Sequence, residues 1–147
     1  MAASGIDATL RLTLREGSIY YFTERTLTSP EPHYFFVINS DPLTQHVLVL
    51  GIVTSKVEET KSRRHDCLES LVTLGPKELP DVLKKASVVD CNSPKSIPLA
   101  EFNARFVRKD IRCFGKDLPP ALRKALRAAI HASKIVPAEI KALVTAP

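Results

Sequence analysis

The chain has 147 residues, of which 44% are apolar and 25% are charged, and its net charge is +5. That length allows one domain, residues 1–147, with a buried core, and no apolar run reaches the roughly 20 residues that a membrane-spanning helix needs. Three cysteines without C-x-x-C spacing predict neither a disulfide framework nor a metal site. There is no Gly-rich phosphate loop, so no cofactor is expected. Because the first residues also lack the basic-then-apolar layout of a secretory signal, we expect a cytoplasmic protein.

Positive charge is concentrated in the C-terminal third of the chain. Residues 1–100 hold 11 Lys and Arg against 12 Asp and Glu, whereas residues 101–147 hold 10 against 4. Such asymmetry indicates a surface that faces nucleic acid or an acidic protein segment. A solvated helical face that keeps the protein in solution explains the asymmetry equally well.

The N-terminal part of the chain predicts two strands and a loop. Residues 6–14 alternate apolar and polar side chains, which is typical of a half-buried strand, although Asp7 could instead cap a short helix. A turn at Gly17 leads into a second predicted strand over residues 18–22. The polar stretch 23–31 is interrupted by proline, which forbids regular structure, so we expect a loop.

A hairpin is predicted from residues 33–39 and 47–53, which flank a turn-rich connection. The second of these belongs to V-L-V-L-G-I-V-T-S, an apolar run rich in β-branched residues that predicts a strand buried on both faces. The run ends at Thr54 and Ser55, with Lys56 next. Small hydroxyl residues at the open end of a buried strand can point into a groove, so chemistry is expected there.

The middle of the chain predicts further strands. Residues 56–66 are highly charged and predict an exposed excursion. Strands are predicted over residues 68–74 and 86–91, with a helical turn between them around residues 81–84. Short strands at this spacing favour a small barrel over a βαβ sheet.

The C-terminal segment, about residues 117–144, predicts helices. Asp117 is a predicted cap for an amphipathic helix over residues 119–133, whose first turn accommodates two prolines. Pro137 begins a second, shorter helix that runs to Val144. We expect the longer helix to pack on the side of the barrel or across one end.

Four segments, in this order and spacing, resemble the MazF/PemK-like toxins of bacterial toxin–antitoxin pairs. They are G-S-I-Y-Y-F over residues 17–22, P-H-Y-F-F-V-I-N over 32–39, V-L-V-L-G-I-V-T-S over 47–55 and K-K-A-S-V-V-D-C over 84–91. The resemblance implies a mainly β fold, in which a small SH3-like β-barrel over about residues 6–102 is followed by C-terminal helices. It also implies cleavage of single-stranded RNA, a cognate antitoxin laid across the groove, and a two-fold homodimer.

The resemblance also assigns a site. Thr54 and Ser55 match the strand-end hydroxyls that hold the scissile phosphate, although strand-end hydroxyls can also serve only loop backbone. The family's arginine falls at Glu31, which cannot supply positive charge. Arg25 in the preceding loop could replace it, and His33 is the nearest group that titrates near neutrality. A histidine that begins a strand more often caps or packs there.

Phosphate binding is predicted for the charged segment that follows the strand. Its candidate RNA-binding residues are Lys56, Arg63, Arg64 and His65, because arginine forks match phosphate geometry. A run of charges in a loop is more often solvated surface. The aromatics of the two early strands alternate faces, so about half are expected in the core and the exposed ones could stack on bases.

Two functions from different classes follow. The first is a toxin-like endoribonuclease that cleaves single-stranded RNA without metal, because no carboxylate or histidine cluster has ligand spacing. The second is a catalytically silent barrel that binds nucleic acid or a partner protein, which Glu31 at the arginine position favours.

Overall fold

A computed structural model of the protein describes residues 5–27 and 31–147. These described residues form six α-helices, namely α1 (Ala8–Thr13), α2 (Pro42–Gln45), α3 (Val57–Arg63), α4 (Leu99–Val107), α5 (Pro120–Ala132) and α6 (Ala138–Lys141). They also form seven strands, namely β1 (Ile19–Phe22), β2 (His33–Val37), β3 (Val47–Thr54), β4 (Leu71–Leu74), β5 (Ser87–Asp90), β6 (Lys95–Pro98) and β7 (Arg112–Cys113). None of the helices in these two ranges is long and apolar enough to cross a lipid bilayer.

Strand β3 is the centre of an antiparallel sheet. Over the described ranges the strand order is β4-β5-β3-β2-β1-β7, and β6 pairs with β3 as well. One edge of β3 pairs with β2, which confirms the predicted hairpin. The other edge pairs with β6 over residues 47–50 and then with β5 at Val53 and Thr54. The carboxyl end of β3, with its predicted hydroxyls, therefore lies beside β5.

Gly51 lies in the part of β3 where this change of partner takes place. A Cβ added at Gly51 would lie 2.8 Å from Cγ1 of Val89 and 3.0 Å from Cδ1 of Ile38, and both of those side chains are fully buried. Glycine is therefore required by close packing rather than by an unusual backbone conformation. It lets side chains from β5 and from the residue after β2 meet directly over β3.

Apolar side chains bury both faces of the sheet. On one face Ile19 and Phe36 pack with the apolar stripe of α5. On the other face Tyr20 and Phe35 pack with α1 and α4, and the ring of Tyr20 meets that of Phe102 edge-on at 5.0 Å. Because neighbouring strand residues point to opposite faces, two adjacent aromatics serve two different cores.

The strand predicted over residues 6–14 is wrong, because this segment forms α1. The carboxylate of Asp7 accepts hydrogen bonds from the backbone N–H groups of Thr9, at 2.8 Å, and Leu10, at 3.2 Å. Leu10 and Leu14, four positions apart, are both buried, as one face of a helix permits. The alternative interpretation of Asp7 as a helix cap is thus confirmed.

Several predicted boundaries in the middle of the chain also differ. The exposed excursion predicted over residues 56–66 contains helix α3, and the strand predicted over 68–74 starts with a 3₁₀ turn at Leu68–Ser70 before β4 begins. The helical turn predicted around residues 81–84 corresponds to a turn in which the backbone N–H of Leu83 donates to the carbonyl of Leu79 at 2.9 Å, slightly earlier in the chain and without a full helix. Helix α4 and strands β6 and β7 have no counterpart among the predicted elements.

The long C-terminal helix is confirmed as α5, and the shorter one as α6, although α6 ends at Lys141 rather than at Val144. The predicted cap is wrong, since the residue before α5 is Pro119, which makes no side-chain capping hydrogen bond. Asp117 instead accepts a hydrogen bond from Nε of Arg15, and this links the start of the C-terminal segment to the turn before β1. The carboxylate of Asp117, which the local sequence predicts to cap the helix, therefore forms a long-range ion pair instead.

The fold is an open antiparallel sheet with several helices, a mixed α/β arrangement with substantial strand content. The expectation of a mainly β protein is therefore borne out only for the sheet, because helices cover both of its faces. Closure of the sheet into an SH3-like barrel stays a prediction.

Candidate functional site

A cleft of about 750 Å³ lies at the carboxyl end of β3. Its walls come from residues 31–34, 52–56 and 82–85, together with α3 and its C-terminal end. We call it the strand-end cleft. Segments distant in sequence meet there because β3 stops pairing at Thr54, where β5 is its neighbour.

The two predicted hydroxyls stand at the turn from β3 into α3. Oγ1 of Thr54 accepts a hydrogen bond from the backbone N–H of Lys56 at 3.2 Å, which is the loop-backbone role expected of a strand-end hydroxyl. A hydroxyl that accepts still has its own hydrogen to donate, so Thr54 can serve an anion at the same time. Ser55 is exposed, and its hydroxyl has no partner within the described ranges.

His33 lines the same cleft at the start of β2. Its ring lies edge-on to that of Phe35, with 6.5 Å between the ring centroids. Nδ1 is buried without a hydrogen-bond partner, so Nε2 is the ring nitrogen that can meet a ligand in the cleft. His33 therefore packs against a core aromatic and also lines the cleft.

Arg64 is held rigidly at the end of α3. Its Nε donates to Oδ2 of Asp90 at 2.9 Å and its Nη2 donates to the hydroxyl of Ser93 at 2.8 Å. Burial raises the pKa of Asp90, but the hydrogen bonds from Arg64 and from Asn92 outweigh it, so this pKa lies below its ordinary value. Nη1 of Arg64 remains for a ligand, and an anchored guanidinium loses little freedom when it binds a phosphate.

The network behind Arg64 reaches the C-terminal helices. Asn92, which is buried, donates from its backbone and its side chain to Oδ1 of Asp90, both at 3.0 Å. Ser133, which follows α5, donates to the side-chain oxygen of Asn92 at 2.7 Å. Hydrogen bonds therefore connect Asp90 in the cleft wall, through Asn92, to the residue that follows α5.

Positive side chains outnumber carboxylates around the cleft. Its lining includes five cations and three carboxylates, namely Lys56, Arg63, Arg64, Lys84 and Lys85 against Glu31, Glu59 and Asp90. Lys84 and Lys85 are exposed and make no ion pair with any described residue. The site prediction omitted these two lysines, although their place just before an apolar strand parallels that of Lys56 just after one.

Two predicted site residues lie outside this cleft. Arg25 lines a separate cavity of about 580 Å³, together with Arg105, Arg108 and Asp110. It follows Phe22, which faces the core on the α4 side, whereas Tyr21 beside it faces the strand-end cleft. His65 is exposed, and its Nδ1 lies 3.1 Å from the carbonyl oxygen of Ser62.

Tyr21 and Tyr34 form an aromatic wall of the cleft. They are directly opposite each other on β1 and β2, and their ring centroids are 4.6 Å apart. Both are half-buried, whereas the other four aromatics of these strands are buried in the two cores. The expectation that about half of the six strand aromatics would be exposed is wrong, because both faces of the sheet are covered and even this pair is half-buried.

Within residues 5–27 and 31–147, no three His, Cys, Asp or Glu side chains lie close enough together to hold a metal ion. The lining of the cleft brings together two hydroxyls, one imidazole, an anchored arginine, exposed lysines and an aromatic wall. No protein-family model matches the chain, and no curated protein matches it either.

Proposed function

We propose that this protein is a toxin-like endoribonuclease that cleaves single-stranded RNA in the strand-end cleft without a metal ion. The observation that carries the proposal is the convergence of Thr54, Ser55, His33 and a surplus of cations in one cleft. Hydroxyls and cations together suit a phosphodiester, and a neighbouring imidazole suits proton transfer.

In this proposal one group transfers a proton and the others stabilise negative charge. Nε2 of His33 takes the proton of the ribose 2′-hydroxyl, whose oxygen bonds to phosphorus while the bond from phosphorus to the 5′-oxygen breaks. The leaving oxygen takes a proton from water. Hydrogen bonds from Thr54 and Ser55 and the charge of Arg64 stabilise the negative charge that grows on the phosphoryl oxygens.

The proposal also covers the closure of the fold, the binding partner and the oligomeric state. We infer a small SH3-like barrel, supported by the way β3 exchanges one partner strand for another along one edge. In this proposal a cognate antitoxin covers the cleft with acidic side chains that match its cations. The protein acts in the cytoplasm as a homodimer.

A second function, the catalytically silent binding module, is favoured by Glu31. This carboxylate lines the cleft at the position where the resembling family has an arginine. Negative charge beside a phosphate opposes the transition state, so binding could persist without cleavage.

The two functions are separated by incubating purified protein with single-stranded RNA in the presence of a chelator. Cleavage by the wild type that falls about a hundredfold or more in Thr54→Ala supports the endoribonuclease. Thr145→Ala, which changes an exposed threonine outside the cleft, is the matched control and should cleave like the wild type. Cleavage that is equal in all three proteins would reject the site, and salt-sensitive binding without cleavage would favour the silent module.

A further inference from the structure

The aromatic wall of the strand-end cleft has no part in the phosphate chemistry. Tyr21 and Tyr34 are half-buried, and their rings are tilted by 48° with 4.6 Å between centroids. Core packing alone would bury them as it buries Phe22 and Phe35, which stack at 4.0 Å on the other side of the sheet. Both tyrosines therefore keep part of their surface in the cleft, although Tyr34 also packs against the core on the α5 side.

The groups near this wall suit a nucleotide. Val82 and Leu83 also line the cleft, and Lys84 and Lys85 follow them directly in the chain. Backbone hydrogen bonds to Leu79, at 3.1 and 2.9 Å, fix the turn that carries the two apolar residues. Residues 82–85 thus present apolar surface next to positive charge. A nucleotide has the matching arrangement, because its base is largely apolar and its phosphate is negative.

We propose that Tyr21 and Tyr34 form a base-stacking subsite, which makes the ligand of the cleft an unpaired nucleotide rather than any phosphate chain. The inference rests on the proposed function and deepens it by naming the residues that receive the bases of the single-stranded substrate. Stacking on an aromatic side chain tolerates every base, since each has a π-face. A base paired in a duplex cannot enter, so single strands are selected over double helices.

The test uses a 2′-O-methyl oligoribonucleotide, which lacks the free 2′-hydroxyl and stays intact, and an abasic oligomer with the same backbone. The wild type should bind the abasic oligomer about tenfold more weakly than the one with bases. Tyr34→Leu should lose about tenfold on the oligomer with bases and show no difference between the two. Tyr34→Phe should restore the preference, because it keeps the ring.

Phe106→Leu is the matched control, since it removes an aromatic ring that packs on the α4 side of the sheet, outside the cleft. It should leave the preference for bases unchanged. If Tyr34→Leu does not fold, the comparison of the two oligomers on the wild type still decides the matter.

Equal affinity of the wild type for the two oligomers would overturn the base-stacking subsite while leaving the proposed RNA-binding cleft in place. Equal affinity for a duplex and a single strand of the same sequence would overturn the subsite as well. If neither oligomer binds in a salt-sensitive way, the proposed function itself fails, and the subsite with it.

Discussion

Glu24→Gln should destabilise the protein more than any exposed charge substitution, because Glu24 is a buried anion that joins three parts of the fold. Its side chain is only 2% exposed. One carboxylate oxygen accepts from Nη1 of Arg105 at 2.8 Å, and the other accepts from the hydroxyl of Thr26 at 2.8 Å and lies 3.7 Å from Nζ of Lys95. The loop after β1 is thereby tied to α4 and to β6.

The pKa of Glu24 gives the magnitude. Burial raises this pKa, but hydrogen bonds from Arg105 and Thr26 and the charge of Lys95 outweigh it and lower the pKa from 4.5 to about 2. At about 1.4 kcal/mol per pH unit, the upper limit is about 3.4 kcal/mol of folding free energy at neutral pH. Because Lys95 is 30% and Arg105 23% exposed, solvent screening reduces the expected cost to about 2 kcal/mol.

The pH dependence has a definite sign. A carboxylate whose pKa is lowered by folding stabilises the protein above its unfolded pKa, and this stabilisation is lost as pH falls through the interval from about 4.5 to about 2. The wild type and Glu24→Gln should therefore differ most at neutral pH. Roughly two-fifths of the difference should be gone by about pH 3.5, one unit into that interval.

The measurement is urea unfolding followed by circular dichroism, at neutral pH and near pH 3.5. Asp110→Asn is the control, since it removes an exposed ion pair with Arg108 in which the side chains are 57% and 61% exposed, and it should cost less than about 1 kcal/mol. If Glu24→Gln and Asp110→Asn destabilise equally, or if the cost of Glu24→Gln grows as pH falls, the reasoning about this buried anion is refuted.

Three further substitutions test other parts of the structure. Gly51→Ala should cost about 1–3 kcal/mol in urea unfolding, because its Cβ would meet buried side chains at 2.8 and 3.0 Å, and an unchanged midpoint would contradict the close packing. Asp90→Asn should cost about 2 kcal/mol at neutral pH, less below about pH 4 because folding lowers its pKa, and a cost independent of pH would refute the role of its partner Arg64. Glu31→Arg should tighten salt-dependent RNA binding and speed any cleavage, more so than Glu31→Gln, and equal effects of the two would show that charge at this position is irrelevant.

Elements with an uninterrupted local pattern could be predicted from the sequence. The apolar run of β3 and the amphipathic stripe of α5 each contain enough residues to define a period, and both elements are confirmed. The pattern of residues 6–14 is compatible with a strand and with a helix, because it alternates and also places the buried Leu10 and Leu14 on one helical face. The hydrogen bonds of Asp7 decide between the two, and they favour the helix.

Helix α3 could not be predicted from periodicity, because it buries almost nothing. Thr60 is its one buried residue, and the remaining side chains are half-buried or exposed. Its acidic first turn and basic last turn agree with the helix dipole, but a run of charges in a loop would look the same. What holds α3 in place is the pairing of Arg64 with Asp90, 26 positions further along the chain.

The candidate site likewise combines residues that a local pattern brings together with residues that only the tertiary fold brings together. Thr54, Ser55 and Lys56 are consecutive, so their meeting in one cleft follows from the end of a single strand. The meeting of His33 with Lys84 and Lys85 depends on β2 and β5 both flanking β3, which no local pattern states. Arg25 is eight residues from His33 in the sequence, yet it lines a different cavity, together with Phe22 and Arg105 of α4.

Glu31 adds a negative charge to the cleft without removing the cleft's positive character. A phosphoryl transition state needs positive charge near its oxygens, and that charge need not come from one fixed position in the chain. In this cleft Arg64 is oriented by Asp90 and Ser93, whereas Lys84 and Lys85 are exposed and make no ion pair with any described residue. An oriented cation stabilises a transition state, whereas mobile cations mainly strengthen binding. Under the proposed function, the balance between cleavage and silent binding therefore depends on whether Nη1 of Arg64, which has no partner among the described residues, reaches a phosphate that Lys84 and Lys85 attract.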